Sequence, residues 1–215
     1  MIWHLYIAAN MFIAAPLMHQ ECVVDTKSIN TPDKWEEVRN NNGVISYVRW
    51  LHYNNGTKTR ERKGDMQVEC SLKKTVEILT DPAETKNWMS GVSENYLLSK
   101  TNPLEWYTYT LYKIPWPFNN RDLVSAFALK NNPDNKTVII NIISRADHVP
   151  PKPGIERLSD YKAIWTITET APQKVHIIFS AMSNAQPMFP RYIQDPVIEK
   201  LFHNNLVRLR ELLSQ

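Results

Sequence analysis

The chain has 215 residues, 43% hydrophobic and 22% charged, with 25 Lys and Arg against 22 Asp and Glu for a formal charge of +3. That composition fits one ordinary globular domain and argues against a disordered chain. The small charge, with basic residues scattered apart from KTRERK at 58–63, speaks against a nucleic-acid partner. Five isolated glycines leave no phosphate loop, dinucleotide fingerprint or nucleophile elbow to be written.

The sequence opens on an apolar run, MIWHLYIAANMFIAAPLM, broken only by His4, Asn10 and Pro16. It is shorter than the roughly 20 residues of a bilayer span and has the length of a secretory signal core. No Lys or Arg precedes it, and no small-x-small cleavage site follows. Residues 1–20 are read as a signal peptide, with a retained anchor or a buried helix as alternatives. The expected location is therefore periplasmic or secreted, or cytoplasmic if this segment is not a signal. Glu21 before Cys22 disfavours lipidation at that cysteine. Cys22 and Cys70 are the only cysteines, and an oxidising compartment would allow them to pair. The folded domain is assigned to residues 30–215.

Thr31-Pro32-Asp33-Lys34-Trp35-Glu36-Glu37-Val38 combines a capping candidate, proline at a first helical position and acids in an opening turn. This predicts a short helix ended by Gly43. Residues 44–53 and 57–69 alternate and are rich in branched and aromatic side chains, with Asn54-Asn55-Gly56 between them, which predicts a hairpin. The run at 58–63 is read as the solvated edge of that hairpin rather than a polyanion site. Ser71 caps a helix over 72–80 with Leu72, Val76 and Leu79 on one face, and Asp81-Pro82 restarts a turn reaching Trp88-Met89.

Strands are then expected at 94–100, 104–114, 121–130, 137–146, 160–169 and 174–181. They follow one another without long helices between them, which favours an antiparallel meander. Residues 147–158 (DHVPPKPGIERL) form the longest proline-rich loop. Asp195 is read as the cap, and Pro196 as the first residue, of a last helix over 197–213. At about 100° per residue its apolar stripe carries Ile198, Leu201, Phe202, Leu206, Leu209, Leu212 and Leu213. Asn205 falls near the stripe's centre, where an unsatisfied amide costs about 1–3 kcal/mol. Ligand, an ordered water or a tyrosine hydroxyl are the candidate partners.

Asp81–Trp88 (DPAETKNW), Pro115-Trp116-Pro117-Phe118-Asn119-Asn120-Arg121-Asp122, the strand Tyr161–Ile167, and Phe189-Pro190-Arg191-Tyr192-Ile193 leading to the last helix resemble motifs of the START (steroidogenic acute regulatory protein-related lipid transfer) domains. The resemblance spans roughly 35–213. It implies an α+β fold of the helix-grip type, a curved antiparallel sheet wrapped around a long C-terminal helix with an internal apolar cavity. It departs from the family at Ser183-Asn184-Ala185-Gln186-Pro187, where many members have an Asp-Pro-Gly-Gly turn. It departs again at Phe127, where some sterol- and phospholipid-binding members place a charge six residues after the motif arginine.

The implied function is binding, or transfer, of a lipid or other weakly polar hydrophobic ligand. Contacts are expected from Trp88, Trp106, Tyr112, Phe127 and Trp165, and from Ile198, Leu201, Phe202, Asn205 and Leu209 of the last helix. Trp116 is a further aromatic candidate. Arg121-Asp122 is read as a structural tie through a bidentate contact. The loop 149–156 and the closing helix are the expected moving parts. No catalytic residue, cofactor or metal is expected, since none of the six histidines has metal-site spacing. The expected partners are a lipid and a transient membrane contact, without nucleic acid, for a monomer. The alternatives are a polyketide cyclase or aromatase-like enzyme of the same fold and a lipid-sensing regulatory module.

Overall fold

The structure is a computed structural model and describes residues 32–215 apart from 117, 134, 135, 186 and 188. The signal reading and the pairing of Cys22 with Cys70 lie outside the described residues. Ten strands form one sheet: β1 (Glu36–Asn41), β2 (Val44–His52), β3 (Lys58–Val68), β4 (Val92–Asn102), β5 (Glu105–Tyr112), β6 (Asn120–Asn131), β7 (Thr137–Ser144), β8 (Ile155–Arg157), β9 (Tyr161–Ala171) and β10 (Lys174–Ser183). The order is β1-β2-β3-β10-β9-β7-β6-β5-β4, antiparallel along the path, with β8 added in parallel to β6. Helices α1 (Leu72–Thr80) and α2 (Thr85–Trp88) link β3 to β4, and α3 (Arg191–Leu213) closes the chain. This is the expected curved antiparallel sheet around a C-terminal helix.

Local signals explain most elements. The Ser71 hydroxyl accepts the Lys74 N–H at 3.2 Å and so starts α1. On β2 and β10 alternate residues are buried, Val44, Ser46 and Val48 on one and Val175, Ile177 and Phe179 on the other, which turns one face of the sheet toward α3. Leu206, Leu209 and Leu213 of α3 join these residues in the main core. A smaller core of Tyr109, Leu111 and Val124 lies under Val149 and Ile155. Val92 to Asn102 is an edge strand whose pairing with β5 shifts register at three points, and β1, the other edge, shifts once against β2.

Three expectations are corrected. Residues 36–41 form strand β1, not a helix: Asn42 and Gly43, at φ 51° and 74°, make the two-residue hairpin turn to β2. A capping signal contributes only about 1 kcal/mol. Here it yields to strand pairing and to Arg49 and Lys63 packed over Trp35 at 4.2 and 4.7 Å. Second, β3 is not an edge, since β2 and β10 pair with it on both sides. Third, α3 begins five residues early, at Arg191, with Pro190 as its cap residue and Asp195 and Pro196 inside it. Asp195 is buried and faces Arg62 and Arg191 instead of capping.

Candidate ligand-binding site

A pocket of about 600 Å³ lies between the sheet and the first half of α3. Period-two alternation places Arg60 and Arg62 of β3, Phe179 and Ala181 of β10 and Tyr161 of β9 on its sheet side. The end of α2 and the turn after it supply Trp88 to Gly91, and the end of β5 supplies Tyr112. Helix α3 supplies Ile198, Leu201, Phe202 and Asn205. An aromatic stack forms part of this wall, running from Trp88, edge-on to Trp165 at 6.0 Å, through Phe179 at 3.9 Å to Phe202 at 5.7 Å.

The anticipated contact residues divide. Trp88, Tyr112, Ile198, Leu201, Phe202 and Asn205 stand on the pocket wall. Trp165, 3% exposed, supports that wall from behind. Trp106 and Phe127 stack on each other at 5.1 Å in the core, and Leu209 is wholly buried there. None of these four is a lining residue. Trp116, 91% exposed, projects to solvent. Tyr161 and Phe179 were not anticipated as contacts, and neither, more consequentially, were Arg60 and Arg62. Their parity with Gly64, Met66 and Val68, all buried, was the available signal.

The polar groups of the wall are largely assigned. Asn205 Oδ1 accepts the Ser90 backbone N–H at 3.0 Å, and Arg208 donates to the Ser90 hydroxyl, so α3 is latched to the α2–β4 turn. A backbone amide was not among the partners anticipated for Asn205. The Tyr112 hydroxyl meets the Met89 sulfur at 3.9 Å, and burial pushes its pKa up to about 12. Burial, then the neighbouring Tyr112, raises Tyr161 as well. Both phenols therefore stay neutral near pH 7. Trp88 Nε1 is buried with no hydrogen-bond partner among the described residues. Among the described residues no group of His, Cys, Asp and Glu could hold a metal ion, and no helix is long and apolar enough to cross a membrane.

Further along α3, His203 is 2% exposed and bridges Asn41 Oδ1 and Ser46 Oγ, each at 2.8 Å. Burial lowers its pKa, aided by Arg39. Its folded value thus lies below the unfolded value of about 6.5, and the unfolded chain takes the proton first. Stability from this group is fully present above pH 6.5 and is lost as pH falls toward the folded pKa, by at most about 1.4 kcal/mol per pH unit. Urea midpoints should therefore drop between pH 7.5 and 5.5 more in the wild type than in His203→Gln. Equal drops would show that His203 does not drive the change.

The tie expected at Arg121-Asp122 exists, with different partners. Asp122, wholly buried, accepts Arg157 Nε at 2.6 Å and Nη2 at 3.0 Å. Arg157 also donates to the carbonyls of Ala146 and Val149. Arg121 instead forks onto Glu156 at 2.9–3.2 Å. The proline-rich loop, expected to move, is thus pinned at its base.

No protein-family model matches the chain. A STAR-related lipid transfer protein from Xanthomonas axonopodis superposes with a TM-score of 0.73 and 27% identity, covering 85% of this chain and all of that fragment. Human STARD10 gives 0.69 at 17% identity over 86% of this chain and 81% of its own. Human STAR-related lipid transfer protein 5 gives 0.68 at 17%, over 83% and 86%. An uncharacterized protein of Pseudomonas aeruginosa is 19% identical over 83% of this chain and 86% of that one. The chain has the helix-grip fold of the START domains.

Proposed function

We propose that the chain binds a lipid or other largely apolar ligand in the pocket between the sheet and α3, and carries it without transforming it. The pocket itself supports this most. Its volume of about 600 Å³ lies within the range of small-molecule sites, and its wall is built mainly of aromatic and aliphatic side chains. The fold is shared with proteins whose names include lipid transfer. A carrier rather than a catalyst is favoured by the wall's chemistry. Among the described residues it has no His, Cys or Glu, its two tyrosines are held neutral, and Asp195 is faced by two arginines. Exchange with a membrane is supported by solvent-facing apolar groups beside the pocket, with Trp116 91%, Tyr192 79% and Val197 63% exposed. The Asn205 side chain remains a candidate polar contact through its Nδ2, since Oδ1 is bound to Ser90.

Native mass spectrometry of the purified protein should reveal an adduct that organic extraction removes and that is identified as a lipid. An adduct-free protein that also fails to bind long-chain probes would sink the reading. Turnover of a cyclisable substrate that disappears in Tyr112→Phe or Tyr161→Phe would favour the enzyme instead.

A further inference from the structure

The pocket's apolar walls carry an unbalanced set of charges at one end. Arg60 and Arg62, two apart on β3, stand on the face turned toward α3, with side chains 17% and 13% exposed. Asp195 and Glu199, one turn apart on α3, answer them. Arg60 Nη2 donates to Glu199 Oε1 at 3.2 Å. Arg62 Nη2 lies 3.6 Å from Asp195 Oδ1, and Arg191 Nη1 lies 3.9 Å from that same oxygen. Three guanidiniums thus meet two carboxylates, and the two contacts to Asp195 are too long for strong hydrogen bonds.

The arginines also have donors to spare. Nε of both Arg60 and Arg62 is buried without a hydrogen-bond partner among the described residues, and such a donor is costly to leave unmade. The rest of the wall adds charge of the same sign. Lys113 and Arg121 also line the pocket, whereas Asp195 is the one acidic lining residue among the described residues. Even counting Glu199 and Glu156, which bond Arg60 and Arg121, bases exceed acids. Burial pushes the Arg62 guanidinium below its ordinary value, with Asp195 and Glu199 pulling the other way.

We propose that Arg60 and Arg62, with Arg191 beside them, hold the anionic oxygen headgroup of an amphiphile whose apolar body lies along Phe179, Phe202 and Leu201. This rests on the pocket being a lipid site and adds the chemical class of its occupant. Carboxylate and phosphate share the planar or tetrahedral oxygens that a guanidinium fork matches. Phe127, the position at which some sterol- and phospholipid-binding START domains carry a tunnel charge, lies in the core stack with Trp106. The charge sits on a different strand.

The test compares four probes on the whole chain at one pH: hexadecanoate, hexadecyl phosphate, hexadecanol and inorganic phosphate, each by calorimetry. At least one tailed anion should bind about tenfold or more tighter than hexadecanol, and the tighter of the two identifies the headgroup. Arg60→Gln and Arg62→Gln should each remove most of that preference while leaving hexadecanol within about twofold of wild type. Since Arg62→Gln leaves Asp195 short of a partner, the milder Arg191→Gln and the wild-type probe series decide the matter should that variant fail to fold. Hexadecanol binding as tightly as both anions would overturn the inference and leave lipid binding standing. Failure of every tailed probe would overturn both. Inorganic phosphate binding as tightly as hexadecyl phosphate would point to a free anion and overturn the amphiphile.

Discussion

Replacing Asp122 with alanine is expected to cost about 3–5 kcal/mol of stability, because it leaves a mostly buried guanidinium without its carboxylate. Asp122 is wholly buried and the Arg157 side chain is 9% exposed, so water cannot replace the two lost bonds. At about 2–4 °C per kcal/mol for a chain of this length, the melting temperature should fall by on the order of 10 °C. The neighbouring pair provides the control. Arg121 forks onto a Glu156 side chain that is 46% exposed, and truncating it to alanine should cost no more than about 1 kcal/mol. The combination Asp122→Leu with Arg157→Met, which removes both charges, should recover much of the loss. If Asp122→Ala and Arg121→Ala shift the melting temperature equally, the buried tie does not hold the loop as described.

Gly64→Ala is the second substitution expected to matter. A β-carbon there would stand 2.0 Å from Leu206 Cδ1, so the Leu206 side chain, 2% exposed and packed in the core, must shift to admit it. Overpacking of this kind costs about 1–3 kcal/mol. Leu206→Ala alone should cost about 2–5 kcal/mol. Together the two should cost less than their sum, by on the order of 1 kcal/mol, since the smaller side chain vacates the space the methyl needs. Urea midpoints of the four proteins measure this coupling. Strict additivity would mean that α3 does not rest on β3 at Gly64.

These residues also show what was legible in the sequence. Signals that act within a few residues were read well: the Asn54-Asn55-Gly56 hairpin, the Ser71 cap and the strand alternation each reappear in the structure. Trp35 to Val38 misled because a capping pattern is local, whereas the strand it forms depends on pairing with β2. Asp195-Pro196 misled in the same way, since Arg62, far away in sequence, faces the carboxylate that resembled a cap. Whether Arg60 and Arg62 face water or a pocket depends on β10 pairing with β3 across more than a hundred intervening residues. Nor could sequence show that the acceptor of Asn205 would be claimed by the backbone of Ser90.

The irregular pairing at the two ends of the sheet has its own consequence. A sheet left open to receive a helix exposes two rows of backbone donors and acceptors, which invite a second copy to add strands. Val92 to Asn102 breaks register three times against β5, and β1 breaks once against β2. Such bulges bend and twist a strand and interrupt its hydrogen-bonding row. Tyr96 and Leu97, 41% and 43% exposed on that edge, therefore sit on a strand too uneven to template a neighbour. Among the described residues the sheet is thus unclosed at both ends, and at each end an irregular strand blunts the edge.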